Sequence, residues 1–110
     1  MRYGEIYWAN PDPGVGSEQA GRRPVLIVSS NDAIDAIATL VTTIPLTTRE
    51  RDWAAHVSIT GEQTGLVERS WALCEQVRTI STQRIAGRLG VVDAATLRNI
   101  TNVFRYLLNL

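Results

Sequence analysis

The apolar residues of this chain change their repeat once along its length, and that change limits the fold more than any single motif. From Gly4 to Ile80, apolar and β-branched residues come in short runs separated by turn formers. After Asp93 they fall three and four residues apart: Leu97, Ile100, Phe104, Leu107 and Leu108 make one helical stripe. Several strands followed by one long helix predict a mostly β or α+β chain, a small and strongly bent sheet or barrel with a C-terminal helix packed on it.

The runs can be placed one by one. Gly4 to Trp8 reads as a first strand that stops at the breaker cluster Asn10-Pro11-Asp12-Pro13-Gly14. A polar loop follows to Gly21, long against a usual median of ~4–6 residues, and loops of that length in a compact domain tend to carry function. Pro24 to Ser29 is a continuous apolar run, the pattern of a strand buried on both faces. Asn31 to Ile37 fits one short helical segment capped by Asn31 or Asp32. Thr39–Leu46 and His56–Ile59 read as a third and fourth strand. Ser70–Ile80 reads as a fifth, with Ala72, Cys74, Gln76 and Arg78 on one face and Trp71, Leu73, Glu75, Val77 and Thr79 on the other. Asp93 is positioned to cap the closing helix.

With 110 residues, positions 1–110 form one domain large enough to bury a core without staples. A single cysteine, Cys74, excludes an internal disulfide, and a single histidine, His56, excludes a Cys/His zinc cluster within one chain. His56 sits in an ordinary alternating strand and is expected to be a half-exposed strand histidine; Cys74 is expected to fill core. Neither a signal peptide nor an ~18-residue apolar span is expected, and a free thiol fits a reduced, cytoplasmic setting. All eleven cations are arginine, so no Schiff-base or P-loop lysine exists, although genome-wide bias explains such a composition equally well. They balance eleven carboxylates, which argues against a broad basic field for binding nucleic acid non-specifically. No cofactor-binding motif is present: Gly14-Val15-Gly16 lacks the following helix of a dinucleotide fingerprint, and no close acidic pair suggests a magnesium site.

What remains is Gly16-Ser17-Glu18-Gln19-Ala20-Gly21-Arg22-Arg23-Pro24, a polar loop emptying into a buried strand. Pro24 holds Arg23 extended, which fixes the direction of its side chain at the strand mouth. An arginine so held, with Glu18 close in sequence, suits a phosphate; the plain alternative is a surface ion pair worth ~0–1 kcal/mol.

These residues also carry a resemblance. Gly4-Glu5-Ile6-Tyr7-Trp8, Asp12-Pro13, the Gly16–Ser29 segment, Pro45-Leu46-Thr47, Gly65-Leu66, Ser70 and Ala72–Ile80 together resemble the MazF/PemK family of toxin endoribonucleases over nearly the whole chain. The resemblance implies an SH3-like small barrel with helices attached, acting as the homodimeric toxin of a type II toxin–antitoxin system. It implies cleavage of single-stranded RNA (mRNA, or rRNA or tRNA) at short motifs, without a metal or other cofactor, and a cognate antitoxin whose disordered tail covers the site. The family's arginine before proline corresponds to Arg23, its threonine after the third strand to Thr47, its loop Glu-Gln to Glu18 and Gln19, and its strand glutamine to Gln76. Catalysis is thus expected from Arg23, Thr47 and Glu18, and RNA contacts from Ser17, Gln19, Arg22, Ser30, Trp53, Gln76 and Arg78.

The chemistry agrees with that assignment. Attack by a 2′-hydroxyl on the adjacent phosphate needs charge stabilisation at phosphorus, which a fixed guanidinium supplies. Thr47 can donate to a phosphate oxygen. Arginine is a poor proton acceptor, so Glu18 is either the base or the group that orients Arg23. Arg22 and Arg23 are adjacent, and strand alternation lets one of them face the site. Trp53 and Trp71 depart from the family pattern; Trp53 either stacks on a base or closes one end of the barrel. A gyrase-binding toxin of the CcdB type, with the same fold and no catalysis, is the rival from another class, and an inactive complex subunit is a second.

Overall fold

The apolar run after Pro24 becomes β2 (Arg23–Ile27), the strand around which the sheet is built. A computed structural model describes residues 1–11 and 21–110 of the chain. Its elements run β1 (Glu5–Ala9), β2, α1 (Asn31–Ala36), β3 (Leu40–Thr47), β4 (His56–Ser58), β5 (Trp71–Leu73), β6 (Arg78–Ser81), β7 (Ile85–Val91) and α2 (Ala94–Leu108). The seven strands form one sheet in the order β4-β5-β3-β2-β1-β7, with β6 also paired to β3, and every pairing is antiparallel. The expected class, a mostly antiparallel sheet with a C-terminal helix, is what the chain adopts.

Alternation along the central strands separates two apolar layers. Ile6, Leu26, Ile44 and Leu46 point to one side, where Val57, Ala72, Cys74, Val92 and Ile100 complete the larger core and α2 lays Leu97, Val103 and Phe104 against it. Ala9, Val25, Ile27, Val41 and Ile80 point to the other side and make a smaller cluster capped by Met1 and Ile34. Each fully buried aliphatic side chain contributes about 1.5–3 kcal/mol relative to exposure. Val25, Leu26 and Ile27 are all buried, as the unbroken apolar run requires.

The sheet is barrel-like rather than closed by strand pairing. Between β4 and β7 the gap is spanned by irregular backbone: the Val91 N–H donates to Gln63 O at 2.9 Å and the Asp93 N–H to Thr60 O at 3.2 Å. This approach depends on two glycines. A Cβ on Gly90 would collide with the Gln63 and Thr64 backbone, and one on Gly65, at φ +71°, with the Leu89 carbonyl.

Four expectations change. The single strand Ser70–Ile80 is split by a 3-10 turn at Cys74–Gln76. β3 moves three residues from Leu46 to Thr43 while its partner moves six, from Ala72 to Arg78, so three residues are extruded from the ladder. β7, which sequence periodicity did not reveal, pairs with β1 through two register shifts. Ser30, rather than Asn31 or Asp32, caps α1 by accepting from the Ala33 N–H at 3.1 Å. Asn31 is unavailable because its Oδ1 accepts from the Tyr3 N–H at 2.8 Å. Lastly, the α2 stripe is buried only as far as Phe104; Leu107 and Leu108 emerge beyond the sheet. Asp93 caps α2 as expected, accepting from the Thr96 N–H at 2.9 Å.

Candidate active site

The site begins with register. β2 and β3 pair Val25 with Pro45, Leu26 with Ile44 and Ile27 with Thr43; Arg23 and Thr47 lie just beyond this ladder, Thr47 being paired with Trp71 of β5. Arg23 has the parity of Val25 and Thr47 that of Pro45, so strand alternation directs both towards one face. They continue the face that carries Val25 and Ile27, at the point where apolar side chains give way to polar ones.

Arg23, Pro24, Pro45, Leu46, Thr47, Thr48, Ser70, Leu73 and Gln76 line one cavity of about 500 Å³. Gln76 reaches it because the 3-10 turn displaces residues 74–76 from the β5–β6 ladder. Thr47 is half-buried, and its Oγ1 accepts from the Arg49 N–H at 3.1 Å, which leaves its own O–H to donate. Arg23, Thr47 and Gln76 are therefore brought together from three elements. Glu18, Ser17 and Gln19 lie outside the described residues.

The other expected residues are distributed differently. Arg22 turns away: its Nε donates to Asn10 Oδ1 at 3.3 Å and it lines neither this cavity nor its neighbour. Arg78 lines the neighbouring cavity. Ser30 is engaged as the cap of α1. Trp53 is half exposed, lies with its ring centroid 4.9 Å from that of His56, and carries the Arg51 guanidinium 5.6 Å from its centroid. Trp71 is buried beneath the Arg69 guanidinium, 5.2 Å away.

Neither reactive side chain singled out by type belongs to the cavity. The Cys74 thiol is buried, and burial first, then the charge of Glu75, push its pKa up to about 12, so it stays protonated and inert at neutral pH. The His56 side chain is not half-exposed as expected: it is 2 % exposed, with Nε2 3.0 Å from Glu75 Oε2 and Nδ1 unpartnered. Trp53 is the cover that the strand pattern alone does not show. Among the described residues, no three His, Cys, Asp or Glu side chains gather as a metal site. Pattern reading missed Asn10 and Arg84, which line the second cavity; Arg84 precedes β7, whose pairing was not visible in the sequence.

Comparison with known proteins decides the kinship. Residues 2–108 match the family described as PemK-like, MazF-like toxin of type II toxin-antitoxin system. The chain belongs to this family. It is 34 % identical over 116 residues to endoribonuclease MazF9 of Mycobacterium tuberculosis, covering 100 % of this chain and 98 % of that protein. It is 34 % identical over 95 residues to endoribonuclease EndoA of Bacillus subtilis, covering 84 % and 81 %. A mycobacterial endoribonuclease solved with its cognate antitoxin superposes with a TM-score of 0.79 at 25 % identity, covering 100 % and 96 %. MazF from Deinococcus radiodurans gives the same TM-score and identity over 100 % and 97 %. This MazF/PemK-family chain is thus an enzyme of the endoribonuclease class. No described helix is long and apolar enough to cross a membrane.

Proposed function

We propose that this toxin cuts single-stranded RNA by attack of a 2′-hydroxyl on the adjacent phosphate. The new 2′-O–P bond forms as the P–O5′ bond breaks, leaving a 2′,3′-cyclic phosphate and a 5′-hydroxyl. The observation that carries this reading is the meeting of Arg23 and Thr47 in one cavity. The guanidinium neutralises the charge that builds on phosphorus, and the Thr47 hydroxyl donates to a phosphate oxygen. Glu18 takes the 2′-hydroxyl proton or orients Arg23, and the departing 5′-oxygen gains a proton. Gln76, with its amide donors and acceptor, reads a base or sugar edge at the cavity wall. In this route the guanidinium supplies the positive charge and no step calls on a metal ion. In the cell the toxin acts in the cytoplasm as a homodimer, lowers translation and growth, and is held in check by an antitoxin whose acidic, apolar tail covers the cavity.

The test is cleavage of a short RNA in excess EDTA, with the ends mapped chemically. Cutting that persists, yields 5′-hydroxyl ends and stops when the 2′-hydroxyl at the cut nucleotide is replaced by hydrogen supports the reading. Cleavage of the deoxy-substituted strand at a comparable rate means a water nucleophile and a different enzyme class.

A further inference from the structure

Beside the cavity just described lies a second one of about 270 Å³, and the two share Arg23 and Pro45. Asn10, Arg78 and Arg84 also line it. Three arginines thus line one cavity from the starts of β2 and β6 and from the turn before β7, positions far apart in sequence. The sheet order explains the meeting. Ala9 is paired with Arg23 on one side and Ile85 on the other, and Thr43 with Arg78. Arg84 is half-buried and held by its Nε, which donates to Asn10 O at 3.0 Å. Its two terminal nitrogens make no hydrogen bond among the described residues, and no described carboxylate lies within 4.0 Å of Arg23, Arg78 or Arg84. A half-buried, forked guanidinium fixed through one nitrogen, with two further arginines lining the same cavity, matches a phosphodiester oxygen pair.

We infer that this second cavity seats the phosphate next to the scissile one, so that Arg23 stands between two consecutive phosphates of a single RNA strand. The assignment rests on the nuclease reading above and adds Arg84, with Arg78, as residues that set the register of the strand in the cleavage cavity. Anchoring a neighbouring phosphate fixes which bond faces Arg23 without reading any base.

The test uses Arg84→Ala and Arg84→Gln, the second because its amide can keep the bond to Asn10 O while losing the charge. Single-turnover cleavage and binding are measured on one short RNA, and on versions with one neutral methylphosphonate linkage on either side of the cut. Wild-type cleavage of the unmodified strand checks the nuclease reading separately. Binding of the 2′-deoxy strand reads the phosphate seat even without cleavage. Both variants should weaken binding about ten-fold with little change in the rate constant at saturation, and lower the salt slope by about 0.7. One of the neutral linkages should reproduce the loss in wild type and cost the variants nothing further. Arg98→Ala, on the exposed side of α2, should leave the salt slope unchanged. The assignment is overturned if the Arg84 substitutions and both neutral linkages weaken binding independently, or if both variants bind like wild type with an unaltered slope.

Discussion

Arg22 and Arg23 are the sharpest comparison the molecule offers, because neighbours in the chain have separate surroundings. Arg23 lines one cavity with Thr47, whereas Arg22 is bonded to Asn10. Arg23→Ala should slow single-turnover cleavage by on the order of 10²–10³, as removal of one preorganised charge-stabilising donor does. Arg22→Ala should change the rate far less. Arg23→Lys should recover little, since a flexible point charge does not reproduce the planar fork. Parallel assays on one short RNA, with folding checked by circular dichroism, decide it; an inactive Arg22→Ala beside a normal Arg23→Ala would reverse the assignment. That Arg23 and not Arg22 lines the cavity was legible because Pro24 fixes the backbone before it. The environment of His56 was not. Strand alternation gives a side, but what covers that side is Trp53, brought in by a loop that follows no period.

Among the elements, those whose burial follows from their own residues were legible: β2 from its unbroken apolar run, α2 from its stripe and its Asp93 cap. β7 was not, because Gly87, Arg88 and Gly90 interrupt any alternation, and its pairing with β1 runs through two register shifts. The extruded Cys74–Gln76 turn was hidden for a related reason, as a register shift belongs to the pair of strands and not to either one. Since that turn carries Gln76, part of the cavity was hidden with it. The α2 cap carries its own prediction. The Thr96 backbone N–H, the Thr96 hydroxyl and the Thr60 hydroxyl all donate to Asp93 and hold its carboxyl below the ordinary value of 3.8. A lowered folded-state pKa contributes stability above the unfolded value, and that contribution is lost as pH falls through the folded one. Thermal melts of wild type and Asp93→Asn should therefore differ most above about pH 5 and converge below the ordinary value of 3.8. A gap that stays constant from pH 6 to pH 2 would show that the charge is not what the cap uses.

For the whole molecule, the end of α2 leaves apolar surface uncovered: Leu107 is 37 %, Leu108 59 % and Leu110 81 % exposed. Together with the family's membership of toxin–antitoxin systems, this favours a second copy of the chain. Multi-angle light scattering at micromolar concentration should give twice the chain mass, and Leu107→Ser with Leu108→Ser should lower it towards one; a wild-type monomer mass counts against the homodimer. The irregular bridge between β4 and β7 has a different consequence, for how the molecule breathes. The other neighbours in the sheet are held by ladders, but this junction is held by bonds of Thr60 and Gln63 to Val91, Asp93 and Thr96. Along this line the strand pairing is interrupted, and separate bonds rather than a continuous ladder join the two sides. Partial opening there would leave the β2–β3 ladder intact. In native-state hydrogen exchange the amide of Val91 should then open at a lower free energy than the paired amides of β2 and β3. A toxin that loosens along this line can yield one side of its wall to solvent while the β2–β3 residues of the Arg23 cavity keep their spacing.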